Sequence, residues 1–175
     1  MSDQTTTQTP SGTAGAMSAE EAARDLPTGP DGAELPSLTK AIVIAARRMG
    51  ADPRVTDQGW VAFDANGQVV GVRPYPRTPV AMRVFVEHPL AGVDAPRERM
   101  LEVANQIGTV LRTVKTSIVE DVLVVSSDCF VLHEADVAPM LVLGMQGVVA
   151  GGTVFREVIA GGGEVPDPDA ATVAP

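Results

Sequence analysis

Residues 60–73 read WVAFDANGQVVGVR, and this stretch decides the fold class because it joins two β-prone runs through a turn signal. An Asn-Gly pair between such runs favours a β-hairpin with a two-residue type I′ turn. A two-residue loop at Asn66-Gly67 also fixes the register of the two strands. The predicted register brings together three cross-strand pairs: Phe63 with Val70, Val61 with Val72, and Trp60 with Arg73.

The three pairs divide between the two sides of the predicted hairpin. Side chains alternate along a strand, so the two aliphatic pairs share one side, which is predicted to be buried. Trp60 and Arg73 then share the other side, where an exposed cation–π contact contributes ~0.5 to 1 kcal/mol. We interpret this pair as a surface contact. The alternative is a binding role, which it would share with Phe85 on the next strand.

Further strands are predicted on both sides of a central helix. Residues 80–88 alternate between apolar and polar positions, and residues 113–119 are rich in β-branched side chains. Residues 122–132 are predicted to form one more strand, with an interruption at Ser126-Ser127-Asp128 and a tight turn before it at Glu120-Asp121.

Three segments show helical periodicity. Each has a start signal, either a capping side chain or a proline suited to the first turn. Glycine and proline after the first helix indicate where it ends. The predicted helices follow Ser37 over residues 38–49, Pro96 with an apolar stripe over residues 100–114, and Asp136 to about residue 160.

This order of elements predicts an α+β fold. Strands that occur in runs and are joined by hairpins indicate an antiparallel sheet with segregated helices and disfavour a parallel βαβ arrangement. The predicted order is α-β-β-β-α-β-β(-β)-α, with five or six strands in one sheet.

The formal net charge of −9 is concentrated at the two ends of the chain. Residues 1–35 are acidic and rich in Gly, Pro, Ser and Thr, so they are predicted to be a disordered tail, with a marginal helical turn at Ser18 to Leu26. Residues 163–175 are predicted to be a second disordered acidic tail. Residues 36–162 form the predicted single domain, which is nearly neutral. A chain without a basic stripe is a poor phosphate-backbone binder, so no nucleic-acid partner is expected.

Composition also limits the chemistry. The single cysteine, Cys129, excludes an intramolecular disulfide and a multi-cysteine metal site. His88 and His133 are the only histidines, which excludes a histidine-rich metal site but not a carboxylate-rich one. On one strand, Cys129 and His133 would be about 13 Å apart, too far for a nucleophile and its base. The glycine-rich stretches match neither a dinucleotide fingerprint nor a P-loop. No enzyme activity, metal or cofactor is predicted, and the absence of a secretory signal pattern gives a cytoplasmic expectation.

The last predicted helix carries 19 consecutive uncharged residues, from Val137 to Phe155. This length is at the lower edge of what spans a membrane. Pro139, Gln146 and the absence of a basic flank argue against that reading, so no membrane partner is expected. A helix that is apolar all round in a soluble protein is buried on most sides, and its glycines permit close backbone approach. Either the helix packs on the domain's own sheet, or it forms a dimer seam or a client groove with the adaptable Met140 and Met145.

The order of elements, with residues 101–107 reading LEVANQI in the middle helix, resembles the YbjN family. The resemblance extends over about residues 36–160. Asn105 matches the first Asn of that family's Asn-rich turn, while the position of the second Asn is occupied by Gly108. The resemblance implies the fold of type III secretion chaperones and a role in protein binding, and it supplies no catalytic residue.

We therefore predict a non-enzymatic module that binds a protein partner, including a second copy of itself, through apolar surface. The alternative is a small-ligand-binding or enzymatic domain with a pocket between sheet and helices, lined by groups such as Asn105, Glu87 and Arg83. The candidate interaction residues are Met140, Gly144, Met145, Gly147, Gly151, Trp60, Arg73 and Phe85.

Overall fold

The structure is a computed structural model that describes residues 17–65 and 67–166. It has the predicted α+β architecture, an antiparallel sheet of six strands with helices packed on one face. In chain order the elements are α1 (Ala19–Ala22), a 3₁₀ turn (Pro30–Gly32), α2 (Ser37–Arg48), β1 (Arg54–Val55), β2 (Val61–Ala65), β3 (Gln68–Tyr75), β4 (Ala81–Pro89), α3 (Arg97–Val110), β5 (Lys115–Val119), β6 (Val122–Phe130), a second 3₁₀ turn (Glu134–Asp136) and α4 (Val137–Gly161).

The predicted hairpin register is confirmed in β2 and β3. Val61 pairs with Val72 and Phe63 pairs with Val70, and all four side chains are buried. Gly67 has φ +78°, a conformation that glycine adopts without a steric cost, and its N–H donates to Asp64 Oδ1 at 3.0 Å. Asn66 lies outside the described residues.

The sheet order is β1-β2-β3-β4-β6-β5. The longest pairing, between β4 and β6, joins segments that α3 and β5 separate in the chain. Strand β6 runs without the predicted interruption, because Ser126 and Ser127 are paired residues of the ladder to β4. The predicted turn at Glu120-Asp121 is present, with Glu120 at φ +53°. The two-residue β1 was not predicted.

Two predicted helix caps differ from the structure. Ser37 is the first helical residue of α2, and Pro36 occupies the capping position. Asp136 lies at the capping position of α4, but its backbone is already helical, so its side chain makes no capping hydrogen bond there. Its carboxylate instead accepts from the His133 N–H at 2.8 Å and closes the preceding 3₁₀ turn.

The N-terminal boundary of the folded part also differs from the prediction. Residues 17–35 were expected to belong to a disordered tail, yet Ala22 is fully buried and Leu35 is almost so. The guanidinium of Arg47 on α2 donates to three backbone carbonyl oxygens of this segment. These acceptors are Ala22, Arg24 and Asp25, at 3.2, 2.6 and 3.0 Å. Residues 1–16 and 167–175 lie outside the described residues.

Helix α4 lies over β4 and β6, and it also packs against α2 and α3. Its inward residues recur every three or four positions, and full burial of each large side chain contributes roughly 1.5 to 3 kcal/mol. The inward residues with this spacing are Val137, Leu141, Gly144, Val148, Gly151, Phe155 and Val158.

Candidate interaction surfaces

The glycines of α4 let the helix approach its own sheet. A Cβ at Gly144 would lie 2.8 Å from Val84 Cγ2, and a Cβ at Gly151 would lie 2.9 Å from Val125 Cγ1. Both glycines are buried, so they offer no surface to a partner. Gly147 is half-buried, and its Cβ position is 3.0 Å from Val114 Cγ2. The three glycines therefore serve packing within the domain.

The two methionines lie on the flanks of the same helix. Met140 and Met145 are half-buried and pack against the edge of the core. The Cys129 Sγ donates to the carbonyl oxygen of Met140 at 3.5 Å, which ties this flank to β6. Both methionines border the outward side of α4.

The outward side of α4 is apolar and open to solvent. Leu143 is 51% exposed and Val142 is 38% exposed. The helix has the length and composition of a membrane-spanning segment, and 33% of its most apolar window is buried. We call this surface the α4 face; its exposed residues within the uncharged stretch are Pro139, Val142, Leu143, Gln146 and Ala150.

Among the residues that the structure describes, no helix packs on the opposite face of the sheet, which displays stacked aromatic and cationic side chains. The predicted contact between Arg73 and Trp60 is present, with the guanidinium carbon 5.4 Å from the ring centroid. The same guanidinium lies 5.2 Å from the Tyr75 ring, and Trp60 meets Phe85 edge to face at 5.5 Å. We call this side of the sheet the open face.

A three-membered ion cluster continues the open face toward β5. Asp128 accepts from Arg83 through both carboxylate oxygens, at 2.7 and 3.1 Å, and from Lys115 Nζ at 2.8 Å. The two hydrogen bonds from Arg83, and then the one from Lys115, lower the pKa of Asp128 to about 2. The same bond to Asp128 raises the pKa of Arg83. Asp128 therefore stays ionised and fixes two cations on the sheet.

Phe85 is fixed in place by its cross-strand neighbour Gly71. The ring of Phe85 covers the Gly71 backbone so closely that a Cβ there would overlap it. Beside the ring lies a shallow hollow of about 370 Å³, lined by apolar groups and by a few polar ones. Its walls include Trp60, Val69, Glu87 and Val122. Trp60, Arg73 and Phe85 are thus brought together, on the opposite side of the domain from the α4 residues.

The pocket suggested for a small ligand is not formed by the residues proposed for it. Arg83 and Glu87 lie on the open face, whereas Asn105 is exposed on α3, on the helical side of the sheet. Cys129 points into the core, where burial raises the pKa of its thiol, while His133 is exposed in the turn after β6. Among residues 17–65 and 67–166, no cluster of three or more His, Cys, Asp or Glu side chains is placed to hold a metal.

Sequence reasoning missed Tyr75, Asp128 and Lys115 as members of the open face. Alternation along residues 80–88 does place Arg83 on the same side as Phe85, but their neighbours on β6 depend on a pairing between distant segments.

In comparisons with known proteins, the chain matches no family model, no curated protein and no solved structure.

Proposed function

We propose that this chain is a non-enzymatic, cytoplasmic protein-interaction module, of the YbjN or secretion-chaperone type that its sequence resembles, and that a protein partner docks on the α4 face. The observation that carries the proposal is the outward side of α4. It presents Val142 and Leu143 to solvent within a stretch of 19 uncharged residues. A surface helix of a soluble domain ordinarily turns charged or polar side chains outward.

The chemistry of this face suits an apolar partner. Burying the rest of Val142 and Leu143 removes apolar surface from water, and it requires no charge to be desolvated between Val137 and Phe155. Met140 and Met145 at the borders of the face have flexible, polarisable side chains that can adapt to different partner shapes. Because Gly144 and Gly151 hold the helix to the sheet, the face is rigidly presented.

The proposal is tested by photo-crosslinking in native lysate of the producing cells. The full chain carries benzoylphenylalanine at Leu143 or, as a control, at exposed Glu157 on the same helix. We expect a discrete protein adduct from position 143 and none from position 157. We also expect Leu143→Glu to reduce co-purification of that protein at least about tenfold, the loss produced by placing a charge in an apolar contact.

Two outcomes contradict the proposal. One is that wild type, Leu143→Glu and the control variant Glu157→Gln all co-purify the same amount of that protein. The other is the absence of any adduct at Leu143 under conditions in which the chain is folded.

A further inference from the structure

The open face has opposite charges on the two sides of a central row that is uncharged from β2 to β6. Ala62, Gly71, Phe85 and Ser126 are consecutive cross-strand partners and form this central row across β2, β3, β4 and β6. On β5 the row ends at Lys115, whose Nζ donates to Asp128 of the neighbouring row. The basic row lies two residues away from the central row, in one direction along the strands. Arg73 pairs with Arg83 there, and Arg83 pairs with Asp128.

The acidic row lies two residues from the central row in the other direction. Asp64 on β2 pairs with Val69 on β3, and Glu87 on β4 pairs with Val124 on β6. Asp64, Glu87 and Arg73 are exposed, and none of them forms an ion pair within residues 17–65 and 67–166. Val69 is 57% exposed between the two carboxylates. The face therefore carries separated, unpaired charges of both signs.

We propose that a second copy of this chain packs on the open face, sheet against sheet, about a two-fold axis that runs along the central row. Such an axis reverses the strand direction and exchanges the basic row with the acidic row. Arg73 of one copy then lies over Val69 of the other copy, between its Asp64 and Glu87. Every such contact occurs twice, as in any isologous interface.

The dimensions of the sheet agree with this arrangement. Rows two residues apart are separated by about 6.8 Å along a strand, so the basic and acidic rows lie at equal distances from the axis. Face-to-face sheets pack about 10 Å apart with nearly aligned strands, a gap that Arg and Glu side chains span from opposite sides. The central row supplies the ring of Phe85, and half-buried Val124 adds apolar surface beside it.

Charge complementarity favours a second copy over other occupants. A nucleic acid or an anionic membrane would attract Arg73 but would meet Asp64 and Glu87 with repulsion. A surface with the same two rows in reverse order satisfies both at once, and a second copy provides it. This contact uses a surface opposite to the α4 face, so it is independent of the function proposed above.

The first test measures the dimer dissociation constant of the full chain by sedimentation equilibrium. We expect Arg73→Glu and Glu87→Arg each to weaken the dimer about tenfold or more, because each reversal acts at two symmetric places. The double variant Arg73→Glu/Glu87→Arg restores the opposite charges between positions 73 and 87 and should dimerise more tightly than either single variant. Arg112→Glu, at an exposed site away from the open face, is the matched control and should change nothing.

The second test locates the contact with benzoylphenylalanine at Val69 of the full chain. We expect an adduct between two copies whose second end maps to the basic row near Arg73. A monomer at all concentrations up to the millimolar range, a double variant no tighter than the singles, or a dimer whose adducts arise from Leu143 instead would each overturn the inference. None of these outcomes depends on whether a different protein binds the α4 face.

Discussion

At the scale of single residues, His88 is held in an environment that disfavours its protonated form. Its side chain points to the helical side of β4, and its Nε2 atom is buried without a hydrogen-bond partner among the described residues. Gly152 of α4 leaves room for the imidazole, which a Cβ at that position would overlap. Burial, and then the positive charge of Arg156, lower the pKa of His88.

The lowered pKa of His88 predicts a loss of stability on mild acidification. Below about pH 6.5 the unfolded chain binds a proton at this histidine, whereas the folded chain leaves it neutral. The free energy of unfolding therefore decreases as the pH is lowered, until the pH reaches the pKa of His88 in the folded chain. We expect His88→Gln to flatten this part of the stability profile in urea unfolding between pH 7.5 and 5. His133→Gln, at an exposed histidine, should keep the wild-type slope. Equal slopes for wild type and His88→Gln would contradict the assignment.

At the scale of elements, the glycines of α4 allow a direct test of how closely the helix packs on the sheet. Gly151→Ala adds a methyl group 2.9 Å from Val125 Cγ1 inside the core, so either the helix or the buried valine must shift. We expect a destabilisation of about 1 to 3 kcal/mol, partly offset by the ~1 kcal/mol that alanine gains in a helix. Chemical unfolding measures the difference.

Gly161→Ala is the matched control for that substitution. Gly161 is the last residue of α4, and a Cβ there meets nothing within 4 Å. Alanine should therefore be neutral or slightly stabilising at this position. If both variants lost the same free energy, the loss would come from the helix itself and not from its contact with the sheet.

The same elements show which parts of the fold are readable from sequence. The register of β2 and β3 follows from a two-residue turn and strict alternation, both of which are local. The pairing of β4 with β6 is not local, and it alone brings Asp128 to Arg83. For this reason sequence reasoning found Trp60, Arg73 and Phe85 but not the ion cluster beside them. The α4 glycines were recognised as close-contact positions, yet only the fold shows that their neighbour is the chain's own sheet.

At the scale of the whole molecule, the two proposed surfaces lie on opposite sides of one sheet. A two-fold contact at the open face would bury the sheets at the centre of a dimer and leave both α4 faces outward. Each dimer would then offer two equivalent docking sites for the partner. The two proposals are thus sterically compatible, and variants of one surface are expected to leave the other unchanged.

The extent of the folded unit gives a last prediction at this scale. Residues 17–35 are attached to the domain through Arg47, whose guanidinium donates to the carbonyls of Ala22, Arg24 and Asp25. A methionine keeps the apolar stem of this side chain and removes the donors, so Arg47→Met should release the segment and cost about 1 to 2 kcal/mol of unfolding free energy. The amide of Ala22, bonded to the Ser18 carbonyl, reports on the attachment.

Hydrogen exchange followed by mass spectrometry shows whether residues 17–35 belong to the folded unit or to a disordered tail. If residues 17–35 belong to the folded unit, peptides that cover Ala22 and Ala23 exchange slowly in the wild type and fast in Arg47→Met. Arg48→Met, at the exposed neighbouring position, is the matched control and should keep the slow exchange. Fast exchange of these peptides in the wild type would show that residues 17–35 belong to the disordered tail, as the acidic, glycine- and proline-rich composition of the segment suggests. The domain would then begin near Leu35.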